Sequence, residues 1–294
     1  MSPTTRSLCT SAALIALAAP ALAATPAAVT QTYADIARAN YGDSLEAAKA
    51  LDAAIDAFLA APSAETHAAA KEAWLDARVP YQQTEVFRFG NPIVDAWEGR
   101  VNAWPLDEGM IDYVATPLYG ESSPENPFYA ANLVANPTLN VGGETIDADP
   151  IDVELLAALH EADEVEANVT RGYHAVEFLL WGQDLNGTGP GAGERPWTDF
   201  ATGADCTHGN CDRRRDYLEA ASELLVADLE EIVASWGEDG AARTELTADG
   251  AEAGVARILK GLGSLSYGEL AGERMKLGLM LHDPEEEHDC FADN

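Results

Sequence analysis

The sequence predicts an all-α protein: one or more helical bundles joined by long irregular connections. Three observations carry that class. Apolar residues return every three or four positions through several long segments. No segment shows the apolar/polar alternation of a half-buried strand. Proline-containing dipeptides collect between 90 and 150, where Asn91-Pro92, Trp104-Pro105, Thr116-Pro117, Ser123-Pro124, Asn126-Pro127 and Asn136-Pro137 read as turns.

The first 24 residues read as a secretory signal peptide. Arg6 is the positive n-region, 14–19 the short apolar core, and Ala21-Leu22-Ala23 a small-x-small cleavage site, which leaves 25–294 as the helical domain. The apolar run is too short to span a bilayer, and no later stretch approaches about eighteen uncharged apolar residues. A secreted or periplasmic address follows, with association to a membrane surface left open. Cys9 lacks the small-residue run before a lipid-modified cysteine.

Residues 30–61 carry Ile36, Leu45, Leu51, Ile55, Phe58 and Leu59 at helical spacing, with a break expected at Tyr41-Gly42-Asp43. Ser63 can cap the next helix, which runs to Val79 and Pro80. If it continues with a kink, Trp74, Arg78, Tyr81, Glu85 and Arg88 line one face. Residues 90–150 are expected to be irregular around one short helix at 106–114. A helix over 151–160 follows, with His160 at the surface. The spacing of Val165, Val169, Val176 and Leu180 then predicts a central helix that Gly182 ends. Residues 212–236 form the longest clean helix, with Tyr217, Leu218, Leu224, Leu225, Leu229, Ile232 and Val233 on its buried stripe. After a polar connection over 237–250 come helices over 251–262 and 264–281, where Gly268 and Gly272 permit close contact.

Seventeen basic residues stand against 50 acidic ones, a net charge of −33. Removing Arg6 with the leader moves this to about −34. Such a chain repels nucleic acid and anionic surfaces and draws cations, although an acidic solvated face needs no specific partner. Arg213-Arg214-Arg215 is the one basic cluster and too small for nucleic acid. A hydrophobic share of 47% is ample for a core. Cys206 and Cys211 read as a local disulfide, since zinc would find only His208 beside them; Cys290 has no partner in view.

Chemistry concentrates in 170–184. On a helix His174 and Glu177 share a face one turn apart. Glu177 is followed by Phe178, Leu179, Leu180 and Trp181, and a carboxylate in such company must be paired or bound to a cation. The pair is half a metal site or a hydrogen-bonded core pair. A zincin motif is excluded because position 178 is Phe. Glu285 and His288 form a di-iron-like Glu-x-x-His in the acidic tail, read as fortuitous. The Asp184 to Gly189 stretch lacks the twelfth-position Glu of a calcium loop.

The run Gly172-Tyr173-His174-Ala175-Val176-Glu177 resembles the Gly-x-His-x-x-Glu signature of the imelysin family, also called the M75 peptidase family. The stretches at 81–90 (YQQTEVFRFG), 100–107 (RVNAWPLD), 206–218 (CTHGNCDRRRDYL), 268–275 (GELAGERM) and 286–294 (EEHDCFADN) resemble it as well. The resemblance implies an all-helical exported protein linked to iron acquisition. It implies a divalent or trivalent metal ion, iron in preference to zinc, and partners among other periplasmic or membrane iron-uptake components. It also implies that the family pattern continues past Asn294.

The expected metal ligands are His174 and Glu177, with Glu85 and Asp107 as further candidates and Arg78 and Arg88 orienting Glu85. Glu85 could instead pair with Arg78 or Arg88, and Asp107 could cap a helix. Glu269 and Glu273 are solvated, paired with Arg274 or turned to the site. Three functions remain open on sequence: an iron-binding protein, a zinc peptidase on the same pair, and a metal-free helical interaction module.

Overall fold

The computed structural model describes residues 24–280, apart from 142 and 187–190. The expected leader, Glu285, His288 and Cys290 lie outside those residues. Helices dominate: α1 (Pro26–Ala60), α2 (Ala64–Gln82), α3 (Pro92–Asn102), α4 (Glu108–Ile111), α5 (Thr116–Tyr119), α6 (Val153–Leu159), α7 (Tyr173–Trp181), α8 (Cys211–Ser235), α9 (Ala241–Leu246) and α10 (Ala251–Gly263). A π-helical segment, Ser264–Leu279, continues α10.

Helix α1 is the spine, packing along α2, α8 and α10. Thr25 caps it by accepting from the Ala28 amide. The break expected at Gly42 does not occur. A glycine costs a helix about 1 kcal/mol, whereas fully burying a large apolar side chain returns about 1.5–3 kcal/mol, and Tyr41 and Leu45 are both buried beside it. Helix α2 opens on a reciprocal capping box between Ser63 and Thr66 and carries Pro80 in its last turn. It ends at Gln82, so Glu85 sits in a separate 3₁₀ turn, Glu85–Phe87, rather than on a prolonged α2.

The irregular region holds more order than its prolines suggest. Helix α3 starts at Pro92 with Asn91 as its cap and buries Val94, Trp97 and Val101. Strands β1 (Thr138–Val141) and β2 (Glu144–Asp147) form an antiparallel hairpin with Leu139 opposite Ile146. Four-residue strands are too short to register as alternation. Arg213 of α8 holds this region, donating to the carbonyls of Leu133 (2.7 Å), Val134 (3.1 Å) and Ala148 (2.8 Å) and to Asp149 (2.9 Å). Arg214 is fully buried on Asp112, and Arg215 donates to the Phe200 carbonyl. The basic cluster is thus spent inside the fold.

Two other expectations change. The polar connection contains α9. The close approaches near the C-terminal side belong to Gly254 and Gly261, where an added Cβ would meet Thr30 Cγ2 at 2.7 Å and the Val86 carbonyl oxygen at 2.8 Å, while Gly268 has open space. Along the outer side Leu259, Leu262, Tyr267 and Met275 are exposed. Cys206 and Cys211 are bridged, S–S 2.03 Å, at the start of α8. The sulfurs are thereby withdrawn from metal binding, and His208 bonds Asp199 at 2.7 Å.

Candidate functional site

Helix α7 is shorter than its apolar spacing suggests. The chain before it is irregular because Asn168 and Thr170, both fully buried, turn their side chains to backbone carbonyls of Ala162 and Leu156. Gly172 then starts the helix at φ 87°, and a Cβ there would lie 2.7 Å from the Val101 carbonyl oxygen. Only glycine meets both demands, which gives the first residue of the Gly-x-His-x-x-Glu run a physical reason. Every residue of α7 is buried. Helix α2 clamps it at two points: Trp74 Nε1 donates to the Tyr173 carbonyl at 2.9 Å, and His67 Nε2 lies 2.8 Å from the Leu180 carbonyl oxygen. Arg171, just ahead of Gly172, is ion-paired with Asp228 of α8.

Within this frame His174 Nδ1 lies 3.0 Å from Glu177 Oε2, the side chains 7% and 2% exposed. Trp104 stands beside the imidazole, ring centroids 5.0 Å apart. His174 reaches the wall of an inner cavity of about 70 Å³ that Arg78, Tyr81, Glu85 and Asn102 also line. Such a space holds an ion with a few waters or a small polyatomic anion. Beyond it, sharing Glu85, Glu98, Trp104 and Arg274, an outer recess of about 670 Å³ opens between Glu161, Glu166, Glu269 and Glu273.

The carboxylates of the inner wall are engaged. Glu85 Oε1 accepts from Arg274 Nη2 at 2.9 Å, and burial, opposed by Arg274, raises its pKa. Glu98 lies 3.2 Å from Arg88 Nη1 and accepts from Asn102, and burial again raises its pKa. Arg88 also approaches Glu269 at 3.6 Å, as Arg274 does at 3.5 Å. Burial opposes the charge of Arg88, but Glu98, Glu269 and Glu85 outweigh it and raise its pKa. Arg78 donates through Nη1 to Asn102 Oδ1 at 2.5 Å, with its guanidinium carbon 5.0 Å from the Tyr173 ring centre. Neither Arg78 nor Arg88 is bonded to Glu85.

Asp107 stands elsewhere. It occupies the N-cap position of α4 without making a side-chain cap bond, and it is not among the residues lining the inner cavity. Its carboxylate accepts from Tyr119 at 3.3 Å and Asn126 at 2.5 Å, and burial raises its pKa against those two bonds. His160, expected at the surface, is only 8% exposed in its side chain because it reaches across to the Gly99 carbonyl at 3.0 Å. Burial lowers its pKa. Among the described residues no three or more His, Cys, Asp or Glu side chains form a group able to hold a metal ion.

Sequence reasoning placed His174, Glu85, Arg78 and Arg88 near one another and missed Glu98, Asn102, Trp104 and Arg274. Asn102 and Trp104 belong to the RVNAWPLD stretch, from which Asp107 had been singled out as the chemical residue. Arg274 and Glu269 belong to GELAGERM. Glu98 carried no signal while α3 was read as irregular.

The family model for imelysin, peptidase M75, matches residues 37–294. The chain belongs to the imelysin family. Iron-regulated protein A of Synechococcus elongatus is 30% identical over 92 residues, 31% of this chain and 26% of that protein. A crystal structure assigned as an iron-regulated protein A precursor from Parabacteroides distasonis shares the fold at a TM-score of 0.50 and 22% identity, over 83% of this chain and 56% of that one. The imelysin chain described here therefore spans well under two thirds of either relative. It is all-α apart from the one hairpin, and among its described residues no helix is long and apolar enough to cross a membrane.

Proposed function

We propose that this imelysin-family chain is an exported, secreted or periplasmic, metal-binding protein whose cargo is iron. His174 supplies the imidazole donor, with Glu177 bonded behind it and Glu85 across the cavity as the carboxylate it can recruit. One observation carries this: a buried imidazole, held by a buried carboxylate, is presented to a small cavity whose outer approach is lined with carboxylates. A carboxylate on one ring nitrogen fixes the tautomer and directs the lone pair of the other nitrogen outward, the arrangement metal-ligating histidines favour. Asp107 is left to its bonds with Tyr119 and Asn126. Imidazole with carboxylate suits iron and zinc alike. The choice of iron leans on two relatives that are named as iron-regulated. Delivery to other periplasmic or membrane components of iron uptake would follow.

The residues present fit a cation only in part. One imidazole is in place, Glu85 must first leave Arg274, and the described residues offer no group of three or more such donors. A zinc peptidase would need three protein ligands, an open position and a general base.

Titrating metal-free protein with ferrous, ferric and zinc ions, and assaying each loaded form on an unfolded protein substrate, tests the assignment. Iron binding without turnover is expected. His174→Ala should abolish binding in a folded protein, and Glu177→Gln should weaken it roughly 10–100-fold, the usual loss when a ligand's orienting partner is removed. Affinity should fall as pH is lowered, because a proton competes with the metal for the imidazole lone pair. No metal binding in folded wild type would overturn the proposal, and zinc-dependent turnover would replace it with the peptidase.

A further inference from the structure

Among the described residues, Arg78 is the guanidinium of the inner cavity that has no carboxylate partner. Glu85 is taken by Arg274 and Glu98 by Arg88, while Arg78 makes no ion pair among the described residues and donates only to the amide of Asn102. It is nonetheless 7% exposed. A buried cation without counter-charge is costly, and stacking against Trp74, Tyr81 and Tyr173, 5.0–5.6 Å from ring centre to guanidinium carbon, offsets only part of that.

Its hydrogen bonds sharpen the point. Among the described residues Nη1 is the nitrogen that serves Asn102, while Nε, which is buried, and Nη2 have no hydrogen-bond partner. Nε and Nη2 form the side-on edge of the guanidinium, whose two parallel N–H groups grip a planar oxyanion two-pronged. The unused edge thus has the chemistry of a carbonate or carboxylate site, on a side chain that shares a cavity of about 70 Å³ with His174.

We propose that the inner cavity holds a small planar oxyanion, carbonate or a monocarboxylate group, on the Nε–Nη2 edge of Arg78. The assignment rests for its purpose on the metal-binding function proposed above. An oxyanion there adds donor atoms to the imidazole of His174 and the carboxylate of Glu85, so cation and anion bind together. The recess outside points the same way, since its six glutamates, at 85, 98, 161, 166, 269 and 273, outweigh Arg88 and Arg274, repel a bare anion and admit one accompanied by a cation.

The test uses metal-free protein in carbonate-free buffer, with ¹³C-bicarbonate and acetate as probes. Binding is followed by calorimetry, by the ¹³C signal, and by the Nε–H resonance of Arg78 in ¹⁵N spectra. Each probe is run alone and with ferric ion. Arg78→Gln should weaken the preferred anion at least about tenfold, the loss of a charge-assisted hydrogen-bonded pair, and Arg78→Lys should restore only part of it. Ferric affinity should rise with that anion in wild type and not in Arg78→Gln. The resonance shift needs no variant, so a folding defect in Arg78→Gln does not decide the matter. Bicarbonate acting alone identifies carbonate as the ligand, and acetate acting alone identifies a chelator carboxylate. If metal binds while neither anion binds or tightens it, the Arg78 site is wrong and the metal function stands. If an anion shifts Arg78 while no metal binds, the metal function falls and the Arg78 site stands.

Discussion

Arg274 reaches back across 189 residues of sequence to donate to Glu85 at 2.9 Å, joining the π-helical segment to the wall of the inner cavity. The carboxylate a cation would recruit is therefore already occupied by a guanidinium. Binding must exchange one partner for the other. Arg274→Gln should tighten metal binding and Glu85→Gln should weaken it, each by about tenfold, the scale of one charge-assisted contact. Calorimetric titration of both variants is the check; equal affinities within about twofold would remove Glu85 from the site.

The Asp112 centre is structural. Its carboxylate, fully buried, accepts from Arg214 at 2.6 and 3.1 Å and from Arg195 at 2.6 Å. Burial works against the ionised form, yet Arg195 and Arg214 prevail and lower its pKa. Asp112→Asn leaves buried Arg214 without a carboxylate and Arg195 with only that of Asp199 at 3.7 Å, and should destabilise the fold by about 3–5 kcal/mol. Urea unfolding followed by circular dichroism reads this directly.

The Cys206–Cys211 bridge closes a short loop ahead of α8, next to the turn where Asp199 accepts from Thr207 at 2.7 Å. In the chain-entropy account so small a loop contributes about 2 kcal/mol. Replacing both cysteines by serine should lower the melting temperature by several degrees, and a reducing agent should do the same to wild type while leaving the double variant unchanged.

His67 makes stability depend on pH. Burial, reinforced by Lys71, lowers its pKa from 6.5 to about 4, against the pull of the Leu180 carbonyl. The unfolded chain therefore takes up a proton that the folded chain refuses. Stability from this group is complete above pH 6.5 and is lost progressively as pH falls towards 4. The His67 ring signal should titrate near pH 4 by NMR, and His67→Asn should lower stability at neutral pH while flattening its fall between 6.5 and 4.

Residue spacing made the large helices legible. The stripes of α1 and α8, the Ser63 cap and the stop at Gly182 are local signals, and the structure follows them except at Ile36, which is exposed. Glycine misled twice for one reason: whether Gly42 breaks a helix, or Gly268 makes a close contact, depends on what packs beside it, and the sequence alone does not say. Helix α3 and the hairpin went unseen because prolines and short lengths mask periodicity. At the cavity, the pairing of His174 with Glu177 is a one-turn relationship and therefore readable. The grasp of Glu85 by Arg274, and the separation of Arg78 from every carboxylate of the described residues, arise only when distant segments meet.

The outer recess has a kinetic consequence. Four glutamates, at 161, 166, 269 and 273, stand at its wall on a protein whose pI is near 4.2. Their field reaches about 8 Å into physiological saline, beyond which counter-ions cancel it. A cation is thus drawn inward over the last stretch of its approach. Added salt will slow its arrival far more than its departure, since departure is governed by contacts too deeply enclosed to be screened.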